Sequence, residues 1–180
     1  MKVVFFGFMG SGKTTYGKMF AERMKLQFID LDDYIEATRN KTIKQIFESE
    51  GEAKFRETER EAMLEVLEKD NFILAAGGGT PCFFDNVDFM NKKAITVYLE
   101  ANIEILVNRL MEAKLYRPLI WGKSKEDLQK YIEETLQKRN PFYRKAHITV
   151  NANDLNINSF IRKLNRIQFF RKILKKGSAV

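Results

Sequence analysis

Lys2-Val3-Val4-Phe5-Phe6-Gly7-Phe8-Met9-Gly10-Ser11-Gly12-Lys13-Thr14-Thr15 is the stretch on which the fold turns. Five residues of strand type run straight into G-x-x-x-x-G-K-T, the Walker A or phosphate-binding loop. Glycines at 7, 10 and 12 permit positive φ, so successive backbone N–H groups can face one concavity. At a helix start such a nest carries partial positive charge and binds phosphate. Lys13 is a mobile point charge for the β- and γ-phosphates, and the Thr14 hydroxyl is placed to ligate Mg²⁺. Gly10, Ser11, Gly12, Lys13, Thr14 and Thr15 are therefore the expected ATP-binding residues. The same letters could also form a plain glycine-rich turn. The strand before them and the helical spacing of Tyr16, Met19, Phe20 and Met24 after them supply the context the motif requires.

Working outward, buried strands are expected at 27–30, 72–76, 94–99 and 147–150, each short and apolar, with helical patterns between them. Asp33 to Thr38 is expected to be helical. Thr42 is positioned to cap a helix carrying Ile43, Ile46 and Phe47, which Gly51 should break. A second helix from Glu52 to Lys69 carries Phe55, Met63, Leu64 and Leu67 on one side. Further helices are expected near 85–91, from Asn102 to Met111, from a Ser124 cap to Lys138, and from Leu155 to Lys175. Strands alternating with helices predict a three-layer α/β/α sandwich on a mostly parallel five-stranded sheet, of P-loop NTPase type. One domain over 1–180 is expected, since no repeat or linker divides it.

Composition narrows the partners. The net charge is +7 and 44% of residues are hydrophobic. Between Leu155 and Val180 lie Arg162, Lys163, Arg166, Arg171, Lys172, Lys175 and Lys176, with no acids. They account for the whole net charge, so basicity belongs to the last segment and gives no support to nucleic-acid binding. No apolar run approaches the roughly 20 residues of a membrane span, and the short first strand lacks the pattern of a signal peptide. Cys82 is the only cysteine, which points to a reducing compartment, the cytoplasm. A monomer is the expectation.

Four features beyond the loop bear on the phosphate acceptor. Asp30-x-Asp32 follows a strand, where carboxylates can serve Mg²⁺ through water and orient or deprotonate a hydroxyl; the alternative is an acidic turn. Arg56 can grip a carboxylate with two parallel hydrogen bonds; the alternative is a solvated pair on a charged helix. Gly77-Gly78-Gly79 lets the backbone approach a ligand, or is simply a turn. Arg117-Pro118 lies in a loop-like stretch, 112–123, suited to a lid, and Arg139-Asn140-Pro141-Phe142-Tyr143-Arg144 follows the next helix. His147 and Cys82 are read as structural, and Trp121 as equally a loop anchor or a cover for the site.

In this order and spacing, G-F-M-G-S-G-K-T, D-L-D-D, G-E-A-K-F-R-E-T-E, A-G-G-G-T, R-P-L and K-R-N-P-F-Y-R resemble the shikimate kinases, from residue 2 to about 150. That resemblance implies ATP-dependent phosphorylation of the 3-hydroxyl of shikimate, with Mg²⁺. It implies that Asp32 activates the hydroxyl and that Arg56 and Arg139 clamp the carboxylate. Gly77, Gly78 and Gly79 line the substrate, Arg117 closes on the phosphates, and the segment 33–61 forms the acceptor side. Lys13, Asp32 and Arg117 are the catalytic candidates; Thr14, with Asp30 and Asp32 through water, would hold the metal. Two positions depart from the pattern. Ala75 stands where a small hydroxyl residue is common, and Asn151-Ala152-Asn153-Asp154 lacks the arginine common beside adenine, leaving Arg109 or the loop itself to pack the base. The rival expectations are a related kinase acting on gluconate or a nucleoside, and a nucleotide-binding regulator that transfers no phosphate.

Overall fold

The computed structural model describes residues 1–112, 122–153 and 155–177, the last stretch with side chains to 168. Five strands form one sheet: β1 (Lys2–Phe6), β2 (Gln27–Asp30), β3 (Phe72–Ala75), β4 (Ile95–Glu100) and β5 (Ile148–Asn151). Their order is β2-β3-β1-β4-β5, and every pairing is parallel. The uninterrupted apolar runs follow from this: strands covered on both faces have no polar side. In β1, Val4 and Phe6 join the core on one face, and Val3 and Phe5 the core on the other.

The helices are α1 (Lys13–Met24), α2 (Leu31–Arg39), α3 (Ile43–Glu68), α4 (Asn86–Lys93), α5 (Ile103–Glu112), α6 (Lys125–Tyr143) and α7 (Ile157–Gly177). Phe20 of α1 and Phe160 and Leu164 of α7 pack on one face. Side chains of α2 to α6 cover the other. The caps expected at Thr42 and Ser124 are present. Thr42 Oγ1 accepts from Gln45 N at 3.2 Å while Gln45 Oε1 accepts from Thr42 N at 2.8 Å, a reciprocal capping box. Ser124 Oγ accepts from Asp127 N at 3.1 Å.

Three departures from the sequence expectation bear on the site. Helix α2 starts at Leu31, because Asp30 Oδ1 accepts from Asp32 N at 3.1 Å and caps it. Gly51 (φ 81°, ψ 173°) kinks one long helix where two were expected. Helix α6 runs on to Tyr143 through Pro141, so Arg139 to Tyr143 belong to its last turns rather than to a loop after it. Proline removes one helix hydrogen bond. Here the turn is pinned from outside: Tyr98 Oη donates to Asn140 Oδ1 at 3.2 Å, and Tyr143 is wholly buried against Tyr98 and Phe6.

Crossing from β3 back over β1 to β4 opens a crevice at the carboxyl end of β1. Open parallel sheets bind ligands at this reversal. His147 lies at the opposite end, before β5, where its Nδ1 accepts from Thr96 N at 3.2 Å. It is the structural histidine expected.

Candidate active site

The loop after β1 is built by backbone. Gly7, Gly10 and Gly12 have φ of 149°, 83° and 95°. A side chain on Gly7 would have its Cβ 2.5 Å from Leu99 O, so β4 itself enforces glycine there. Lys13 Nζ donates to Gly7 O at 3.0 Å and Phe8 O at 3.1 Å, arching over the loop. Ser11 is fully buried, and its Oγ has no hydrogen-bond partner among the described residues. Thr14 Oγ1 donates to Asp30 Oδ2 at 3.0 Å, so the hydroxyl and carboxylate expected to share a cation stand side by side. Such an oxygen pair suits Mg²⁺, which binds few protein ligands and keeps several waters. Ala75 pairs beside Asp30 in the β2–β3 register and is 2% exposed; the missing hydroxyl falls on this side of the loop. Arg109 Nη1 donates to Gly10 O at 3.0 Å, which places that arginine at the loop.

Opposite the loop stands Asp32, in the first turn of α2. Burial, then the neighbouring carboxylates of Asp30 and Glu59, push its pKa up to about 6, against the pull of Lys13. A base in that range is still ionised at neutral pH and accepts a proton more readily than an ordinary aspartate.

Arg56 projects from α3 toward the glycine triplet. Its Nη1 donates to Glu59 Oε2 at 2.9 Å and its Nη2 to Glu52 Oε1 at 3.0 Å. The Phe83 ring centroid lies 4.2 Å from its Cζ, a cation–π contact. So the helical-pair reading of Arg56 is present, and yet the side chain faces the site: a Cβ on Gly79 would sit 2.8 Å from its Nη1. Glu59 is 1% exposed. Its Oε1 accepts from Thr80 Oγ1 at 2.6 Å, and a Cβ on Gly77 would come within 2.8 Å of that oxygen and 3.6 Å of Asp32 Oδ1. Gly77 and Gly79 thus stay glycine because charged side chains fill the space.

Gly78 is the point where the two sides meet. Its own Cβ would lie 3.1 Å from Arg139 Nη1 and 3.2 Å from Gly7 O. Arg139 reaches it from α6, with Phe8 of the phosphate loop 5.9 Å from its Cζ.

The structure therefore brings together Lys13, Thr14, Asp30, Asp32, Arg56, Gly77, Gly78, Gly79 and Arg139. Arg117 and most of the stretch 112–123 lie outside the described residues, as does Asp154. Glu59 was not singled out in the sequence, although a signal existed. It falls on the apolar stripe of α3, one turn from Phe55 and one from Met63, where a carboxylate has to be satisfied from inside the fold.

The family model described as Shikimate kinase matches residues 9–173. The shikimate kinase of Parabacteroides distasonis is 48% identical over 166 residues, covering 92% of this chain and 96% of that protein. Among solved structures, the shikimate kinase of Bacteroides thetaiotaomicron superposes with a TM-score of 0.86 at 42% identity, covering 93% of this chain and 98% of the other. The shikimate kinase of Acinetobacter baumannii, solved in complex with shikimate, gives a TM-score of 0.81 at 32% identity, covering 95% and 94%. Agreement of this extent, in sequence and in fold, means that the chain belongs to the shikimate kinase family.

Proposed function

We propose that the residues gathered at the carboxyl end of β1 transfer the γ-phosphoryl group of ATP to the 3-hydroxyl of shikimate, giving shikimate 3-phosphate and ADP. The observation that carries this reading is the acceptor side of the crevice. Two guanidinium groups, Arg56 and Arg139, flank a glycine triplet, with a carboxylate of raised pKa facing Lys13. A small polyhydroxylated acid needs this set: cations for its carboxylate, a base for its hydroxyl, and backbone close enough to fit the ring. A nucleoside gives two guanidinium groups no carboxylate to hold.

Asp32 orients the hydroxyl and takes its proton as the oxygen attacks the γ-phosphorus in line. The bond to the β–γ bridging oxygen breaks, and Lys13 and the loop N–H groups stabilise the charge on the transferring and leaving groups. Bound Mg²⁺ would neutralise phosphate charge, held by Thr14 and, through water, by Asp30 and Asp32. Arg117, in the lid segment 112–123, adds positive charge on closing and excludes water. The helical segment 33–61 supplies the acceptor side within one domain. The same reading makes the protein a cytoplasmic monomer, in keeping with a single cysteine whose thiol burial pushes up to about 11. No helix among the described residues is long and apolar enough to cross a membrane.

A coupled ADP-release assay with ATP, Mg²⁺ and a panel of acceptors tests the proposal. Turnover with shikimate is expected. Turnover with gluconate or nucleosides but not with shikimate overturns it.

A further inference from the structure

We infer that Tyr143 is the positioning residue of the acceptor site: one buried phenol oxygen sets Gly78 and Arg139 in mutual register. The inference rests on the proposed roles of those two residues toward shikimate. Tyr143 is 0% exposed, with its ring held between Tyr98 and Phe6 at centroid distances of 4.9 and 5.9 Å. Its hydroxyl donates to the carbonyl of Gly78. A phenol has one proton and two lone pairs. With the proton committed to Gly78 O, the oxygen can act toward other groups only as an acceptor.

Arg139 stands one helical turn earlier on α6, so the two side chains leave the same face of the helix toward Gly78. Its Nη1 is 3.1 Å from the place where a Gly78 Cβ would be. The phenol and the guanidinium therefore meet at Gly78, one on its carbonyl and the other beside its Cα. Their meeting fixes the distance between a side-chain cation and a backbone contact that belong to separate elements. Glycine at 78 is free to rotate unless something holds its peptide. Arg139 has several torsions, and a bidentate grip on a carboxylate needs a fixed plane. One rigid, buried group answers both needs.

A merely structural tyrosine is available for contrast on the same helix end. Tyr98 Oη donates to Asn140 Oδ1 at 3.2 Å and touches neither Gly78 nor Arg139 by hydrogen bond. Tyr143→Phe and Tyr98→Phe each remove one hydroxyl and keep the ring, so both are expected to fold and to lose a few degrees of Tm. Only Tyr143→Phe is expected to raise KM for shikimate, by about fivefold, the size of one hydrogen bond. KM for ATP should stay within about twofold in both variants. Arg139→Lys is assayed beside them and should raise KM for shikimate on its own; combined with Tyr143→Phe, the two effects should fall short of multiplying, because both act through one contact. If Arg139→Lys raises KM while Tyr143→Phe does not, or if Tyr98→Phe raises it equally, the positioning role is lost and the arginine clamp stands. If neither Arg139→Lys nor Tyr143→Phe moves KM for shikimate, the clamp itself is wrong, and the positioning role goes with it.

Discussion

The two sides of the crevice are made in opposite ways. The nucleotide side is nine consecutive residues, Gly7 to Thr15, and its binding groups are largely backbone N–H donors aimed by three positive φ angles. The acceptor side takes Asp32 from α2, Arg56 and Glu59 from α3, a glycine triplet after β3 and Arg139 from α6. Its working groups are side chains, each steered by another: Asp30 caps the turn bearing Asp32, Glu59 holds Arg56, and Thr80 holds Glu59. Phosphate is the same in every nucleotide, so a local backbone cradle suffices. A particular acceptor has to be recognised by its own functional groups, and those are reached only by side chains brought in from a distance.

If the sides are separable in this way, damage to the acceptor side should spare ATP. The largest effect is expected from Asp32→Asn: kcat falls by at least about 10²-fold, the scale of a general base, while ATP binding measured by calorimetry is retained. Loss of ATP affinity would join the two sides into one unit. Next comes Gly51→Ala. The φ of 81° with ψ of 173° belongs to glycine, and nothing lies within 4 Å of the added methyl. The cost is therefore backbone strain alone, about 2 kcal/mol, and urea unfolding should show it. An unchanged midpoint would mean that the kink relaxes freely.

Arg56→Lys keeps a cation for Glu59 but loses the planar fork. KM for shikimate should rise about tenfold with KM for ATP unmoved; equal changes in both would break the comparison. The smallest effect concerns pH. The folded carboxyl of Asp32 titrates near 6 against 3.8 for the free group. The folded state then binds the proton more tightly, so stability falls as pH rises from about 4 through 6. Asp32→Asn should be the more stable protein at pH 7, by at most about 1 kcal/mol because the residue keeps an exposed edge through which solvent screens its partly buried carboxyl, and lose that advantage below pH 4. Thermal melts at the two pH values check this. In the parent protein kcat/KM should fall about tenfold per unit on the acid side of pH 6.

The same contrast explains what could be seen in the sequence. The phosphate loop, the all-apolar strands and the caps at Thr42 and Ser124 are local, and local signals carry them. Asp32, Arg56 and Arg139 were found through motif resemblance, and their spacing alone left each open. Glu59 looked like one more acid in Arg56-Glu57-Thr58-Glu59-Arg60, because what buries it is the Thr80 turn some twenty residues away. Helix α6 ends beyond the expected Lys138, since Pro141 is a local stop signal overruled by Tyr143 and Tyr98 from the core. Where a residue's state depends on partners far along the chain, its neighbours in sequence give no notice.

The register of β1 carries a consequence for how the protein comes to be folded. Lys2 pairs with Phe72, and Val3 with Ile95. During synthesis β1 thus has no neighbour in the sheet until some 70 residues have followed it, and its second neighbour comes later still. Pairings of that separation close late and slowly. The phosphate loop, the most local signature in the chain, is for that reason among its most non-local products. Gly7 is closed in by Leu99 O, so an N-terminal fragment that stops before β4 would carry every letter of the motif and lack the wall that gives the loop its shape.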